Sequence, residues 1–384
     1  MDGGNKRYFS CLFMLLLMLM LPLSQLPNND NTNFSLIQDF PATSKAQVTW
    51  SGVVELSESY TINVTDELII TPCTTIKLPD SARIFVEGRL LIEGDTACPV
   101  ILSVVNSGLH YGIQFNQSSV GRGSVIDNLT IQSAMYGVTI YGSDPLLTNV
   151  SVVNPSRVGI DLFTSASPVI KDLEVSQAGR GFFYNDWRYG IGLSVGAGSS
   201  PIVERAELSD MRIRGLNIWG DSGGIYSHLS IDNVTAEGAS AISAGVWVED
   251  SRPLITNVSV DKSDYGILIR HIDDGGYTRA VVRDCLVTNS MYRGIYVDKA
   301  NHTNYTNYET ADFTNTVVRG TGGPNAKTSD LAFAAIEVNA TGAWFENTTI
   351  EDSTSVGLRL YFVDSSTTFR DLAIHNSGDP GQGA

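Results

Sequence analysis

Residues 137–152 read Gly-Val-Thr-Ile-Tyr-Gly-Ser-Asp-Pro-Leu-Leu-Thr-Asn-Val-Ser-Val, and residues 159–175 repeat this order of residue types as Gly-Ile-Asp-Leu-Phe-Thr-Ser-Ala-Ser-Pro-Val-Ile-Lys-Asp-Leu-Glu-Val. Each copy joins a Gly-apolar-x-apolar element to an apolar-x-Asn/Asp-apolar-x-apolar element. Copies of the second element begin, at spacings of 21 to 33 residues, at Ile126, Leu147, Ile170, Val203, Ile231, Ile255, Val282, Phe313, Phe345 and Phe369. A repeat of this length indicates a stack of similar coils.

The alternation within each element predicts very short strands. Val138 and Ile140 would point to one side of a strand and Thr139 to the other. Gly suits a corner that needs a positive φ or a missing Cβ, and Asn or Asp tolerates the left-handed conformation at the second corner. One coil cannot bury its own apolar face, but a stack can, and parallel crossovers are right-handed in nearly every case. The sequence therefore predicts an all-β fold, a right-handed single-stranded parallel β-helix with three short strands per coil.

This coil pattern resembles the pectin-lyase-like right-handed parallel β-helix repeat superfamily, from roughly Trp50 to the end of the chain. Residues 68–78, 84–94 and 98–102 look like the usual first coils of that family. The resemblance implies the fold, but it does not select an activity, because the superfamily includes lyases, hydrolases, epimerases and proteins with no known catalysis. In its polysaccharide enzymes, the substrate groove runs along the side of the rod near the sheet of first strands.

The ends of the chain predict three segments. Lys6 and Arg7 precede an apolar run of 13 residues, Cys11–Leu23, which is typical of a signal peptide and short for a membrane span. We expect a signal peptide at 1–26, with an uncleaved anchor as the alternative, a polar linker at 27–49, and the β-helix at 50–384. Because the chain stops directly after a repeat strand, we also expect the natural protein to continue past residue 384.

Export predicts an extracellular or cell-surface protein whose mature domain does not insert into a membrane. The net charge of −16 argues against a nucleic-acid partner. Cys73 and Cys98 are 25 residues apart, about one coil, and adjacent coils lie ~4.8 Å apart, so we predict a disulfide between them. Cys285 fits a buried apolar position better than a reactive thiol.

Eleven Asn-x-Ser/Thr sequons suggest a glycoprotein. Five of them coincide with corners of the repeat, where we expect the Asn side chains to stack in a ladder rather than to carry sugar: Asn128, Asn149, Asn233, Asn257 and Asn347. Asn301 and Asn304, in the longest insertion, are the better candidates for glycosylation.

One outward residue per coil forms a stripe along the first strands. It supplies the glycan-contact candidates Asp161, Asn217, Trp247, Tyr296, Glu337 and Arg359, and it also includes Gly192. Exposed Trp247 and Tyr296 would be unusual unless they meet a ligand. Trp187 and Tyr189, in an aromatic insertion, are further candidates, because rings stack on sugars. A plain solvated surface is the alternative for all of them.

Catalysis has weaker support in the sequence. No paired Asp cluster of the hydrolase type and no Arg/Lys constellation of the lyase type appears. The histidines are dispersed, which predicts no metal site and no cofactor. We therefore expect a non-catalytic protein that binds glycans or has a structural place in the cell envelope, with extracellular polysaccharide or envelope components as partners. A polysaccharide lyase or glycoside hydrolase acting in a groove along the first-strand sheet is the alternative.

Overall fold

The structure is a computed structural model that describes residues 46–180, 189–236, 242–272, 278–299, 309–322, 334–339, 341–354, 356–361, 363 and 367–378. The predicted signal peptide and most of the predicted linker lie outside these residues, as do Trp187, Asn301 and Asn304. Within the described part of the chain, no helix is both long and apolar enough to cross a membrane.

The described strands form two long sheets. Sheet A contains β1 Gln47–Trp50, β2 Val53–Glu55, β4 Glu67–Ile70, β5 Thr75–Leu78, β7 Arg89–Glu93, β8 Val100–Val104, β10 Val125–Gln132, β12 Leu146–Val153, β14 Val169–Ser176, β16 Ile202–Ser209, β18 Ile225–Val234, β20 Leu254–Ser263, β22 Ala280–Arg283, β23 Leu286–Thr288, β25 Glu309–Arg319, β27 Gly342–Glu351 and β29 Thr368–His375. Sheet B contains β3 Tyr60–Ile62, β6 Ile84–Val86, β9 Ile113–Phe115, β11 Tyr136–Tyr141, β13 Val158–Phe163, β15 Ile191–Val195, β17 Arg214–Trp219, β19 Ala244–Glu249, β21 Tyr265–His271, β24 Arg293–Lys299, β26 Ala334–Asn339 and β28 Val356–Tyr361. One short 3-10 turn, Gln117–Ser119, follows β9.

The chain winds as a right-handed parallel β-helix, as predicted. Each coil places one strand in sheet B and continues into sheet A, where it pairs in parallel with the coils before and after it. In most coils the predicted second and third strands run on as one strand that bends at a residue with positive φ, such as Asn149 at 52° or Asp172 at 53°. Asn and Asp stand at these bends because they tolerate the left-handed conformation.

One copy of the repeat was placed wrongly. The bend of β18 is His228, with φ 56°, and not Asn233. The register shows this, because Ala206 pairs with Leu229 in the adjacent strand. Asn233 stands at the next corner, beside Asp210, and its amide donates to the Asp210 carboxylate at 2.5 Å.

A single dry core runs through the coils. Val138, Ile160, Leu216 and Ile267 are each 0% exposed and belong to one apolar cluster. Phenylalanines also stack inside: the ring centroids of Phe313 and Phe345 are 4.8 Å apart, and those of Phe345 and Phe369 are 4.9 Å apart. These distances match the spacing of paired strands, so each ring rests on its equivalent in the next coil.

Corner amides form the predicted ladder over only part of the stack. Asn347 donates to Asn315 Oδ1 at 2.8 Å, and Asn315 donates to Asp284 Oδ1 at 2.9 Å. Asn149 donates to Asp127 Oδ1 at 3.1 Å, whereas Asn257 makes no such side-chain bond within the described residues. Asn128 donates instead to the carbonyl oxygen of Gly94, at 3.2 Å, so the stacking of amide on amide is limited to later coils.

The cysteines occupy the predicted places. Cys73 and Cys98 form a disulfide, with their Cα atoms 4.8 Å apart on neighbouring coils. Cys285 is free and buried, and burial raises the pKa of its thiol to about 11. The bond therefore joins early coils of the stack, while Cys285 packs as a small apolar side chain.

Candidate functional site: an aromatic groove on sheet B

The outer face of sheet B carries a central row of side chains, one from each coil. In register order the row is Gln114, Thr139, Asp161, Ser194, Asn217, Trp247, Leu268, Tyr296, Glu337 and Arg359. The predicted stripe is therefore present, except that Ser194 holds the place given to Gly192. Gly192 packs against Gly159 instead, because Ile160 pairs with Leu193 and Asp161 with Ser194.

A cavity of about 490 Å³ opens over the earlier part of this row. Its lining, which we call the aromatic groove, consists of Arg83, Tyr111, Tyr136, Thr139, Tyr141, Val158, Asp161, Phe163, Ile191, Ser194 and Trp219. Thr139, Asp161 and Ser194 follow one another in register and form the floor. The volume lies within the usual range of small-ligand sites.

One wall of the groove is a continuous set of rings from the ends of the sheet B strands. Tyr141 and Phe163 stack with centroids 5.3 Å apart and planes at 16°. Trp219 meets Phe163 edge-on, at 6.3 Å and 75°. The indole reaches this far because Gly196 intervenes: a Cβ at position 196 would lie 2.3 Å from Cε2 of Trp219. Glycine at position 196 therefore leaves the space that the Trp219 indole needs to reach Phe163.

The opposite wall begins with two tyrosines at the starts of their coils. The rings of Tyr111 and Tyr136 stack with centroids 6.2 Å apart. The Arg83 guanidinium lies 4.6 Å from the centroid of Tyr111 and donates to Gln114. Val158 and Ile191 continue this wall in register with Tyr136. The groove thus has apolar sides, a polar floor and one cation at an end.

Asp161 is the unusual group of the floor. Its side chain is 5% exposed, and its Oδ1 has no hydrogen-bond partner among the described residues. Burial raises the pKa of Asp161 to about 7, and the Ser194 hydroxyl opposes this shift. A carboxyl of this kind is partly protonated near neutral pH, so it can accept or donate a hydrogen bond to a ligand.

Farther along the row, Trp247 and Tyr296 are not exposed as expected. They are 5% and 9% exposed and form a small apolar cluster with Ala244 and Leu268, against which Tyr265 packs. The Arg214 guanidinium covers the Trp247 ring at 3.9 Å, and Arg293 covers the Tyr296 ring at 4.5 Å. Alternation predicted the outward direction correctly, but neighbouring side chains shield both rings.

The remaining candidates of the row lie in polar networks outside the groove. Glu337 pairs with Arg293 at 2.9 Å and with Arg359 at 3.1 Å. Asn217 is 0% exposed; its Oδ1 accepts from Arg214 at 2.5 Å, and its Nδ2 has no partner among the described residues. These bonds fix the side chains to one another, so this part of the row supplies less free hydrogen-bonding capacity than its residue types suggest.

Tyr189 is buried rather than open to a ligand. It is 8% exposed, and its hydroxyl accepts from Arg157 at 2.8 Å. Arg157 also donates to the hydroxyl of Tyr136 at 2.9 Å. Through Arg157, Tyr189 therefore helps to hold Tyr136 in its place in the groove wall.

Sequence reasoning missed most of the groove. It singled out Asp161 but none of the rings around it. The signal was present, because Tyr111 and Tyr136 directly precede the Gly of their coils, and three aromatic residues stand four positions after such a Gly: Tyr141, Phe163 and Trp219. Comparing these flanking positions between coils would have found both walls.

The described residues contain no group of three His, Cys, Asp or Glu side chains that could hold a metal ion. His271 is buried, and its Nδ1 lies 2.9 Å from Asp250 Oδ1. Asp273 and Asp274, which follow it closely in the chain, lie outside the described residues. His271 is thus part of a corner of the coil stack.

Comparison with known proteins bears on the fold. A family model described as a right-handed beta helix region matches residues 89–307, more than half of the chain. No curated protein matches. Among solved structures, an alginate lyase from Paenibacillus sp. has a TM-score of 0.40 at 11% identity, over 82% of this chain and 99% of that one.

Two other solved structures cover similar parts of this chain. The catalytic unit of a GH87 α-1,3-glucanase from Streptomyces thermodiastaticus has a TM-score of 0.47 at 12% identity, over 86% of this chain and 62% of that one. A tailspike of E. coli bacteriophage HK620, in complex with a pentasaccharide, has a TM-score of 0.45 at 12% identity, over 86% of this chain and 58% of that one. Identities this low say nothing about activity.

Proposed function

This chain belongs to the right-handed beta helix family, and we propose that within this fold it binds an extracellular polysaccharide in the aromatic groove. The observation that carries the proposal is the pairing of aromatic walls with a hydroxyl and carboxyl floor. Fold alone would not support it, because this fold serves many functions.

The chemistry of the groove suits sugar rings. A pyranose has an apolar face that packs on an aromatic ring, and Tyr141, Phe163 and Trp219 offer such rings side by side. Sugar hydroxyls need partners that both donate and accept, which the hydroxyls of Thr139 and Ser194 provide. Because the rings and the floor repeat from coil to coil, the groove offers successive positions to a chain of sugars rather than one pocket to a single ring.

We also propose that the protein acts outside the cell or on its surface. The basic and then apolar pattern of residues 6–23 supports export. The disulfide between Cys73 and Cys98 agrees with an oxidising compartment, where such bonds persist. In that location, the available partners are extracellular polysaccharides or other components of the cell envelope.

A binding experiment tests the proposal. The protein is screened against a panel of plant, algal and bacterial polysaccharides, and titration calorimetry follows on the ligands that bind. Removing one ring by Phe163→Ala should weaken binding about 2- to 10-fold, since an aromatic contact contributes about 0.5–1.5 kcal/mol. Tyr361→Ala is the matched control, because Tyr361 occupies the same outward row on β28 but lies far along the sheet and is 55% exposed. Equal losses in both variants, or no binding to any polysaccharide, would remove the proposal.

A second candidate function is cleavage of the bound glycan as a hydrolase or lyase. The pKa of Asp161, about 7, favours it, because a general acid or base works best near the operating pH. Glycosidases commonly use two carboxyl groups, however, and the described lining of the groove holds only Asp161. Reducing-end and unsaturated-product assays decide the matter. We expect binding without product, and product formation that disappears in Asp161→Asn would establish an enzyme.

A further inference from the structure

We propose that the aromatic groove selects neutral saccharides and discriminates against uronic acids, with Asp161 as the specificity-determining residue. This inference rests on the proposed function, which it narrows from polysaccharides in general to those without carboxylates along the bound segment.

The first support is the unsatisfied carboxyl oxygen. Asp161 lies on the floor of the cavity, is 5% exposed, and leaves Oδ1 without a hydrogen-bond partner among the described residues. A buried acceptor without a partner is costly; since this atom is closed to solvent, a ligand meets it once the Asp161 side chain turns toward the groove, and a donor supplied there gains binding energy. A sugar hydroxyl is such a donor, whereas an ionised uronate is an acceptor only.

The second support is that none of the described residues places a counter-charge beside Asp161. Arg83 is the only cation among the described lining residues. Its guanidinium donates to Gln114 and lies over the rings of Tyr111 and Phe85. Gln114 precedes Asp161 by two strands in register, a separation of ~10 Å. A uronate seated over Asp161 would therefore place two carboxylates together without a cation between them.

The third support is the neutrality of the remaining floor. Thr139 and Ser194 flank Asp161 and carry hydroxyl groups only. In the buried floor of the groove, like charges repel more strongly than in water. Two like charges placed side by side in an interface cost several kcal/mol. A tenfold preference for the neutral ligand corresponds to about 1.4 kcal/mol and is therefore a conservative expectation.

Matched sugar pairs test the inference. The probes are hexasaccharides of β-1,4-mannose, β-1,4-glucose and α-1,4-galactose, each paired with the uronic acid of the same linkage, so that members of a pair differ only at C6. We expect the neutral member of any binding pair to bind at least about tenfold more tightly at pH 8. Asp161→Asn should narrow this gap several-fold by improving the binding of the acidic member. Glu207→Gln, which removes an exposed carboxylate from sheet A, should leave the gap unchanged.

Lowering the pH provides a second readout that a structural role of Asp161 would not produce. Between pH 8 and pH 5.5 the gap should narrow in the unmodified protein, because Asp161 becomes protonated while uronates stay ionised. It should not change with pH in Asp161→Asn. Besides Asp161, the titratable or charged residues in the described lining of the groove are Arg83, Tyr111, Tyr136 and Tyr141, and groups of these types ordinarily titrate well above this range.

The outcomes separate the two proposals. If the acidic member binds as tightly as the neutral one, or more tightly, the selectivity is refuted while glycan binding stands. If Asp161→Asn leaves the gap unchanged, Asp161 does not determine specificity. If no member of any pair binds and the wider polysaccharide panel is also negative, the proposed function itself fails.

Discussion

Gly196→Ala is the sharpest perturbation of the groove, because it acts on the wall without changing any residue that would touch a ligand. Trp219 lies across the backbone at Gly196, and a Cβ there would be 2.3 Å from Cε2, 2.5 Å from Cζ2 and 2.6 Å from Nε1 of the indole. The φ of Gly196 lies outside the left-handed region, so alanine is acceptable to the backbone. The three atoms nearest to the added methyl group therefore all belong to this ring.

The size of the effect follows from these distances. Non-bonded carbon atoms rest about 3.5–4.0 Å apart, so the indole must move by about 1 Å or more. It then loses its edge-on contact with Phe163, now at 6.3 Å between centroids, and its alignment with the wall. Loss of one aromatic contact corresponds to about 0.5–1.5 kcal/mol, so the affinity for the glycan should fall about 2- to 10-fold. The free energy of unfolding should change by less than about 1 kcal/mol, because the indole can move outward and alanine lowers the entropy of the unfolded chain.

Calorimetric titration with a glycan that binds measures the affinity, and chemical unfolding measures the stability. Gly223→Ala is the matched control, since a Cβ there would meet its nearest neighbours at 3.6 Å, an ordinary contact. A double-mutant cycle with Trp219→Ala adds a stricter condition. In the Trp219→Ala background, Gly196→Ala should have no further effect on affinity. The role given to Trp219 would be refuted if Gly196→Ala lowered the affinity by the same factor in this background. It would also be refuted if Gly196→Ala alone left the affinity unchanged.

Three further predictions concern stability. The pKa of Asp161 is raised on folding from an ordinary 3.8 to about 7, so the folded state binds the proton more tightly; stability should decrease as the pH rises from about 4 through 7, and Asp161→Asn should flatten this part of a melting-temperature profile. Replacing Cys73 and Cys98 by Ser opens a loop of 25 residues and should lower the free energy of unfolding by about 3–4 kcal/mol, whereas adding a reductant to that variant should change nothing more. Phe345→Ala removes the middle ring of a buried stack and should cost about 3–5 kcal/mol in chemical unfolding; a cost similar to that of Tyr361→Ala, an exposed ring, would contradict the packing described for the core.

The sequence was sufficient for the fold because apolar alternation and Asn or Asp corner residues recur in most coils from Ile126 onward. It misplaced individual copies where two residues of the right type stand close together. Asn233 matched the corner pattern better than His228, although both adopt a positive φ. Gly192 was placed on the outward stripe, although it is in register with Gly159, the glycine at the start of the preceding first strand. Pairing between coils decides such cases, and pairing is a property of the whole stack.

The site was less accessible from the sequence, for a different reason. Alternation predicts the direction of a side chain, but it does not predict which other side chains lie around it. Trp247 points outward and is nevertheless shielded, because Arg214 lies over its ring. Asp161 also points outward and is nevertheless buried, because the walls of the groove rise on both sides of it. Which outward residues meet a ligand therefore depends on three neighbouring rows taken together, and one stripe cannot show it.

The in-register stacking of coils has a consequence for how such a protein can change. Each coil through the groove supplies one floor residue and its flanking wall residues, at a pitch of ~4.8 Å. Duplicating one coil, for example residues 137–158, would insert a new step with the same neighbours above and below it. The groove would lengthen by one increment, while every interior contact would keep a partner of the same kind. The number of coils therefore sets the length of ligand that the groove can hold. The chemistry of the ligand depends separately on single residues such as Asp161.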